Sequence, residues 1–374
     1  MSIEVHILGT SSARPTSIRQ VSGNLVSCTD GIVVVDAGEG FQTRFFEQRK
    51  RMKQHEKYHL KPSKVGALCL THGHLDHTWG VLPWLQSLAL DNRHQSLLVL
   101  GPTTNEVIDA LMNNQSLPED THKSDLATQY RFWHQLGATT SGLGYPIRWI
   151  LGAVEFGRWI EFLEDGKIIE LAEMPQPEGW TNNRIGALPT IHSTPSCAWQ
   201  VSSAASPGKF NRAKAKQLAL TEAEQGTLAS GMDIQHNGEL LKGQDFRSEP
   251  LSPLTVVVSG DTAEMAPGIT ALEQCSLLVH EATFLDDFTE KAEDYLHSTA
   301  SGAARTALAC GANHLVLTHY GARIRHTDEL IGEAMKVLAT SPISLSAAID
   351  GDRILVEDSG EVHHLHWHGD GWSC

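Results

Sequence analysis

The chain opens on IEVHILG (3 to 9), where apolar and polar positions alternate until a cluster of Gly, Ser and Pro interrupts them. A period of two followed by turn residues predicts a half-buried strand ending in a loop. GIVVVDAGEG (31 to 40) is a short β-branched run closed by Asp36 and glycines, and VGALCL (65 to 70) reads as a further buried strand. From Trp79 to Leu90 the apolar residues of WGVLPWLQSLAL fall at helical spacing in spite of Pro83. SLLVLGP (96 to 102), LTVVVSGD (254 to 261), CSLLVHEA (275 to 282) and HLVLTHY (314 to 320) are apolar runs whose ends are mostly polar or ionisable. Helical patterns separate the last three, among them HSTASGAARTALACG, with Ser298 or Thr299 as the candidate cap and Gly311 as the stop. Strands and helices in alternation predict an α/β layered architecture in one domain, residues 1 to 374.

Three stretches depart from this pattern. Residues 118 to 186 hold Trp133, Trp149, Trp159 and Trp180 with little periodicity, which suggests an elaborated insertion or a partner-facing surface, core packing being the alternative. Residues 203 to 252 are polar and glycine-rich and carry the basic run Lys209, Arg212, Lys214 and Lys216, as a solvated arm would. The end of the chain, EVHHLHWHGDGWSC, brings His363, His364, His366 and His368 close together and reads as a polar terminal strand and tail.

Charge narrows the function classes. There are 44 acidic and 29 basic residues, a formal net charge of −15, so a globally basic footprint for nucleic acid is absent and only local basic segments remain. The N-terminus lacks a basic region followed by an apolar run of signal length, and the expected compartment is the cytoplasm. Cys28, Cys69, Cys197, Cys275, Cys310 and Cys374 are scattered without a CxxC pair and are expected to be free thiols.

The densest chemistry is LCLTHGHLDHTWG (68 to 80), where His72, His74, Asp76 and His77 follow a buried strand directly. Imidazole and carboxylate are the donors that zinc and its neighbours take in hydrolytic sites. Four donors in one loop cannot complete two metal sites, so others must come from elsewhere. His192 in LPTIHSTPSCAWQ, Asp261 in VVVSGDTAE and His319 in LVLTHYG each follow an apolar stretch, where strand-end ligands are placed.

With these motifs in order, the sequence resembles the metallo-β-lactamase fold family. LGTSSARPTSIRQVSGNLV, DAGEGFQTRF, THGHLDH, GDTAE, HEATF, HSTASGAARTA, LTHYGAR and AAIDGDRILV fall in the order of ribonuclease Z, the endonuclease that matures tRNA 3′ ends. The resemblance spans residues 5 to 356. It implies a four-layered αββα sandwich with an inserted arm, two divalent ions (zinc, or manganese), a homodimer, and precursor tRNA as substrate. It assigns His72, His74 and His192 to one ion, Asp76, His77 and His319 to the other, and Asp261 as the bridge. In the family the His of HST acts near the leaving group; here that is His297, with Glu281 of HEATF as its orienting partner and Asp76 orienting the water.

Departures from the family are few. Ala37 stands where the family has cysteine, Gly321 where it commonly has serine, and the arm retains only EQGTLASG of its Gly-Pro-rich element. Arg14, Arg19 and Arg323 are candidates to meet phosphate, and the arm lysines with Arg212 to meet RNA. A hydrolase of small phosphodiesters or cyclic nucleotides is the alternative that the net charge and the insertion favour; an inactive metal-binding scaffold is the third.

Overall fold

The computed structural model describes residues 2–56, 59–205, 208–250 and 252–374. Among them, eleven strands form one sheet, in the spatial order Trp372–Ser373, Val362–Trp367, Arg353–Val356, Ile3–Gly9, Gly23–Ser27, Ile32–Val35, Val65–Cys69, Leu97–Pro102, Ile147–Ala153, Arg158–Phe162 and Ile168–Leu171. A second sheet of six runs Ser344–Ala347, His314–Thr318, Leu277–Glu281, Thr255–Val258, Cys197–Ser203 and Asn183–Pro189. Each sheet has a parallel centre. Val35 lies opposite Cys69 in the first, and Glu281 opposite Thr318 in the second. Parallel strands are covered on both faces, which is why these segments read as continuous apolar runs.

Helices cover the outer face of each sheet. Phe41, Phe45, Trp84, Leu85 and Tyr130, from the helices Phe41–Arg51, Val81–Leu90 and Leu126–Gln135, share a core with Val34, Leu68 and Val99. The helix Ala300–Ala309 instead brings Ala303, Ala304 and Ala307 against Leu278 and Leu315, small side chains that allow close approach. Between the sheets, the Trp199 indole donates to the Leu70 carbonyl at 2.9 Å and the Cys197 N–H to that of Thr71 at 2.9 Å. The result is a helix, sheet, sheet, helix sandwich. Among the described residues no helix is long and apolar enough to cross a membrane, and all six cysteines are free.

The helix read over Trp79 to Leu90 is two helices, Leu75–Thr78 and Val81–Leu90. Gly80 interrupts them because its N–H turns to the Ala37 carbonyl at 2.8 Å instead of continuing a helical ladder. Pro83 falls in the first turn of the second helix, where a missing N–H costs nothing. Thr299 is the cap of Ala300–Ala309, its hydroxyl accepting from the Gly302 N–H at 3.0 Å.

Residues 118 to 186 differ from the partner-facing surface considered for them. Their strands Ile147–Ala153, Arg158–Phe162 and Ile168–Leu171 extend the large sheet, and Trp133, Trp149 and Trp159 are buried. Trp149 packs against Tyr130 with ring centroids 4.8 Å apart, and its indole donates to the Ala138 carbonyl. Ile147–Ala153 is buried almost throughout, which removes the alternation that would have marked it.

Ser203–Leu254 form a compact unit of their own. Its small core is Ala215, Leu220, Leu228 and Phe246. A capping box between Thr221 and Glu224 starts the helix Glu222–Ala229, and Ile234–His236 pairs with Glu239–Leu241 as a hairpin.

Candidate metal centre

The HGHLDH segment takes its shape from the turn after the strand Val65–Cys69. His74 caps the short helix Leu75–Thr78 and its carbonyl accepts the His77 N–H at 3.0 Å, so Asp76 and His77 begin a helical turn while His72 remains in extended chain. The loop after Asp36 packs tightly on that turn: a Cβ on Gly38 would lie 1.9 Å from the Asp76 carbonyl oxygen. Asp261 is aimed by Gly260, whose φ of +61° is a left-handed conformation open to glycine and whose Cβ would meet Thr71. Asp36 and His319 adopt φ of 60° and 57° at the ends of their strands. Positive φ in such residues is a strained choice that clusters at functional sites.

The seven candidate ligands come together in two overlapping groups. One donor atom from each of His72, His74, His192 and Asp261, and likewise from Asp76, His77, Asp261 and His319, lie within 4.8 Å of one another. In the first group His74 Nδ1 stands 3.0 Å from His72 Nε2 and 3.2 Å from His192 Nε2. In the second, Asp261 Oδ1 lies 3.2 Å from both His77 Nε2 and His319 Nε2, with Asp76 Oδ2 3.6 Å from each nitrogen. Asp261 therefore faces both groups, one oxygen to each.

The donor atoms suit divalent ions. His77 Nε2, His319 Nε2 and Asp261 Oδ1 are buried with no hydrogen-bond partner among the described residues. Leaving such atoms unsatisfied costs about 1–3 kcal/mol each. Three that converge on one point are explained together by a cation. Burial opposes ionisation of Asp76, but His77 and His319 hold its carboxyl down to about 2. Burial, and then the neighbouring His77, keeps the His72 imidazole well below its ordinary value, neutral and ready to donate a lone pair.

Two carboxylates organise the imidazoles from behind. Asp36 Oδ2 is 2.6 Å from His77 Nδ1 and accepts from the Thr71 hydroxyl at 2.8 Å, and Thr71 Oγ1 is 3.0 Å from His72 Nδ1. Glu281 Oε1 is 2.7 Å from His297 Nδ1; its Oε2 accepts from the Thr283 hydroxyl at 2.6 Å, and Thr283 Oγ1 is 3.1 Å from His319 Nδ1. Asp36 and Glu281 are each 1% exposed. Such partners set which ring nitrogen is free and where it points. Glu281 was expected beside His297 alone. Asp36, Thr71 and Thr283 are the candidate supporting residues that sequence reasoning missed; their only signal is position, at strand ends and next to candidate ligands.

His297 is set apart. Its ring stacks beside that of His319 at 5.9 Å, and its Nδ1 stands 4.0 Å from Asp261 Oδ2. Burial disfavours charge on His297, yet Glu281 and its hydrogen bond outweigh that and push the imidazole up to about 9. With Nδ1 held by Glu281, Nε2 is the nitrogen left to exchange a proton.

The cationic candidates fare differently. Arg19 is buried; its guanidinium donates to the Ile324 carbonyl and lies 4.7 Å over the Tyr320 ring, so it secures a loop and does not meet a phosphate. Arg14 and Arg323 are exposed. In the separate unit, Lys209, Arg212 and Lys216 are exposed, whereas Lys214 is half-buried, donating to the Asp245 carbonyl at 2.8 Å above the Phe246 ring. A cavity of about 550 Å³ borders His192 and is walled by Thr103, Glu106, Glu155, Phe156 and Thr194.

Comparison with known proteins agrees with this architecture. Residues 19–169 match the family model described as the Metallo-beta-lactamase superfamily. The chain is 28% identical over 335 residues to a ribonuclease Z of Nitrosopumilus maritimus (strain SCM1), covering 88% of this chain and 93% of that relative. The metallo-beta-lactamase fold protein YhfI of Bacillus subtilis superposes with a TM-score of 0.54 at 18% identity, over 95% of this chain and all of the other. The short form of human tRNase Z gives 0.53 at 18% identity, over 94% and 98%. Fold, donor set and sequence converge on one conclusion: residues 19–169 carry a match to the Metallo-beta-lactamase superfamily, and most of the chain is similar to proteins of that fold and to relatives named ribonuclease Z.

Proposed function

We propose that the protein is a metal-dependent phosphodiesterase of ribonuclease Z type, which removes 3′ trailers from precursor tRNA and leaves a 3′-hydroxyl. The observation that carries the reading is the pair Glu281 and His297, 2.7 Å apart and set against the donor groups built on Asp261. An imidazole oriented by a buried carboxylate beside those groups suits proton transfer, and since Glu281, His297 and His319 also stand close enough to share an ion, metal content of a His297 variant separates the two roles. Relatives named ribonuclease Z, matching over most of the chain, support the substrate class.

In this reading His72, His74 and His192 would hold one divalent ion and Asp76, His77 and His319 the other, with Asp261 near enough to serve either. Two such ions supply Lewis acidity toward the phosphate and a nucleophile at neutral pH. Asp76, whose Oδ2 also accepts the Ala13 N–H at 2.9 Å, orients the attacking water. His297 delivers a proton from Nε2 to the departing 3′ oxygen, while Glu281 keeps the ring oriented and stabilises its charged form. Arg14 and Arg323 are exposed where phosphate could meet them, and Lys209, Arg212 and Lys216 are exposed cations of the Ser203–Leu254 unit for the RNA backbone. A homodimer belongs to the same reading and is checked by light scattering.

One observation favours a smaller substrate. The cavity beside His192 is walled in part by Glu106 and Glu155, which repel a polyanion but leave room for a cyclic nucleotide or other small diester. The deciding experiment is cleavage of a 3′-extended precursor tRNA by zinc- or manganese-loaded protein, beside a small chromogenic phosphodiester. Cutting at the discriminator base supports the tRNA reading. Turnover of the small diester with intact tRNA replaces it with the cavity reading, and no turnover of either leaves the scaffold.

A further inference from the structure

The C-terminal strand brings imidazoles to a buried carboxylate a second time. Val362–Trp367 pairs antiparallel with Arg353–Val356, with Ile354 opposite His364 and Arg353 opposite Leu365. Side chains alternate across a strand, so His364 and His366 share the face on which Asp352, one residue before the partner strand, also lies. Asp352 is fully buried, His364 is 6% exposed at its side chain and His366 35%, so the group opens to solvent on the His366 side alone. Asp352 Oδ2 is 2.8 Å from His364 Nε2 and 2.9 Å from His366 Nδ1, and the three atoms lie within 4.8 Å of one another.

We propose that Asp352, His364 and His366 form a separate site for one divalent transition ion of the zinc class, with solvent completing its coordination beside His366.

Hydrogen-bond arithmetic supports this. Oδ2 also accepts the Ile349 N–H at 2.9 Å, so without an ion one carboxylate oxygen serves three donors. An oxygen offers about two lone-pair directions. An ion takes the place of both imidazole protons, leaving that oxygen one amide and one metal bond. The group is also supported from behind as metal-binding imidazoles require. Ser346 Oγ stands 2.6 Å from His364 Nδ1 and 2.8 Å from His314 Nε2, a chain able to hold the outer proton of His364 and free Nε2 for the ion. Asp352 Oδ1 accepts the Trp367 N–H at 3.1 Å, which fixes the carboxylate. Two imidazoles and a carboxylate with one open side are a donor set that zinc, cobalt and nickel share. His363, on the other face of the strand, approaches Glu357 and Glu361 at 3.6 Å and does not contribute.

The test is equilibrium dialysis of the full chain against micromolar zinc, followed by metal analysis, for wild type, His366→Ala and His366→Gln. Both variants are expected to bind one ion fewer per chain than wild type and to show a smaller zinc-dependent rise in Tm. Their turnover of the small phosphodiester should stay within about twofold of wild type. Equal metal content in all three proteins overturns the proposal, as does an additional ion that binds only at millimolar zinc. The glutamine variant keeps a donor for Asp352 should the alanine variant fold poorly. The difference in ion count is read whether or not the protein cleaves any diester, so the outcome stands apart from the proposed activity.

Discussion

Two buried carboxylates, Asp36 and Glu281, do the same structural task beside the candidate metal centre, and only Glu281 also holds the imidazole proposed as the acid. Each binds one imidazole directly and a second through a threonine: Asp36 reaches His77 and, by Thr71, His72; Glu281 reaches His297 and, by Thr283, His319. Behind Asp36 both imidazoles are candidate ligands. Behind Glu281 one is a candidate ligand and the other is the proposed acid. Orientation of a metal ligand and orientation of a proton donor thus need the same hardware, a desolvated carboxylate with a hydroxyl relay. What differs is whether the imidazole lies among the ligand atoms or beside them.

The comparison breaks most visibly at His297. His297→Ala is expected to lower kcat about 10²- to 10⁴-fold, the usual worth of general acid catalysis, with metal content unchanged and no rescue by added zinc. Metal loss in this variant would move His297 into the ligand set and erase the difference between the two sides. Asp36→Ala should behave the opposite way: metal affinity weaker by about 10- to 100-fold, with turnover recovering as zinc is raised. Calorimetric zinc titration beside the rate assay separates the two patterns.

A finer test uses the relays. Thr71→Val and Thr283→Val each remove one hydroxyl of nearly constant volume, an effect of about tenfold from the net worth of a hydrogen bond. Thr71→Val should weaken metal binding alone, whereas Thr283→Val should weaken it and lower kcat at saturating zinc, because its hydroxyl also fixes Glu281. Identical profiles for the two would sink the asymmetry. The smallest expected effect is on stability. Chelation should lower the Tm of wild type by roughly a few degrees, since a ligand bound only by the folded state stabilises it by mass action. Asp36→Ala should show a smaller drop at the same zinc concentration.

The legible and illegible parts of this site divide along physical lines. His72, His74, Asp76 and His77 stand in one loop, and His192, Asp261 and His319 each end an apolar run, so strand periodicity locates them. The relays are different. Asp36 and His77 are far apart in sequence, and nothing local distinguishes Asp36 from any acidic residue that ends a strand; only the parallel register of Val35 with Cys69 brings them together. The tryptophans left core packing and a partner surface both open for a related reason, since Trp149 and Trp159 belong to strands buried on both faces that show no alternation. Arg19 was legible as a cation but not as a buried one, because its partners are main-chain carbonyls at Ile324 and Arg325, which sequence cannot label.

The shared position of Asp261 between ligands that run from His72 to His319 has a consequence for how the protein comes into being. During synthesis the N-terminal part of a chain emerges and begins to fold first, at about 5–20 residues per second. The HGHLDH loop is therefore exposed early, with its imidazoles gathered, yet the residue that joins both halves and the histidine that closes the second arrive only when most of the chain has left the ribosome. A fragment that ends before Asp261 lacks the residue common to both donor groups. Assembly of the paired donor groups is thereby tied to synthesis as far as His319.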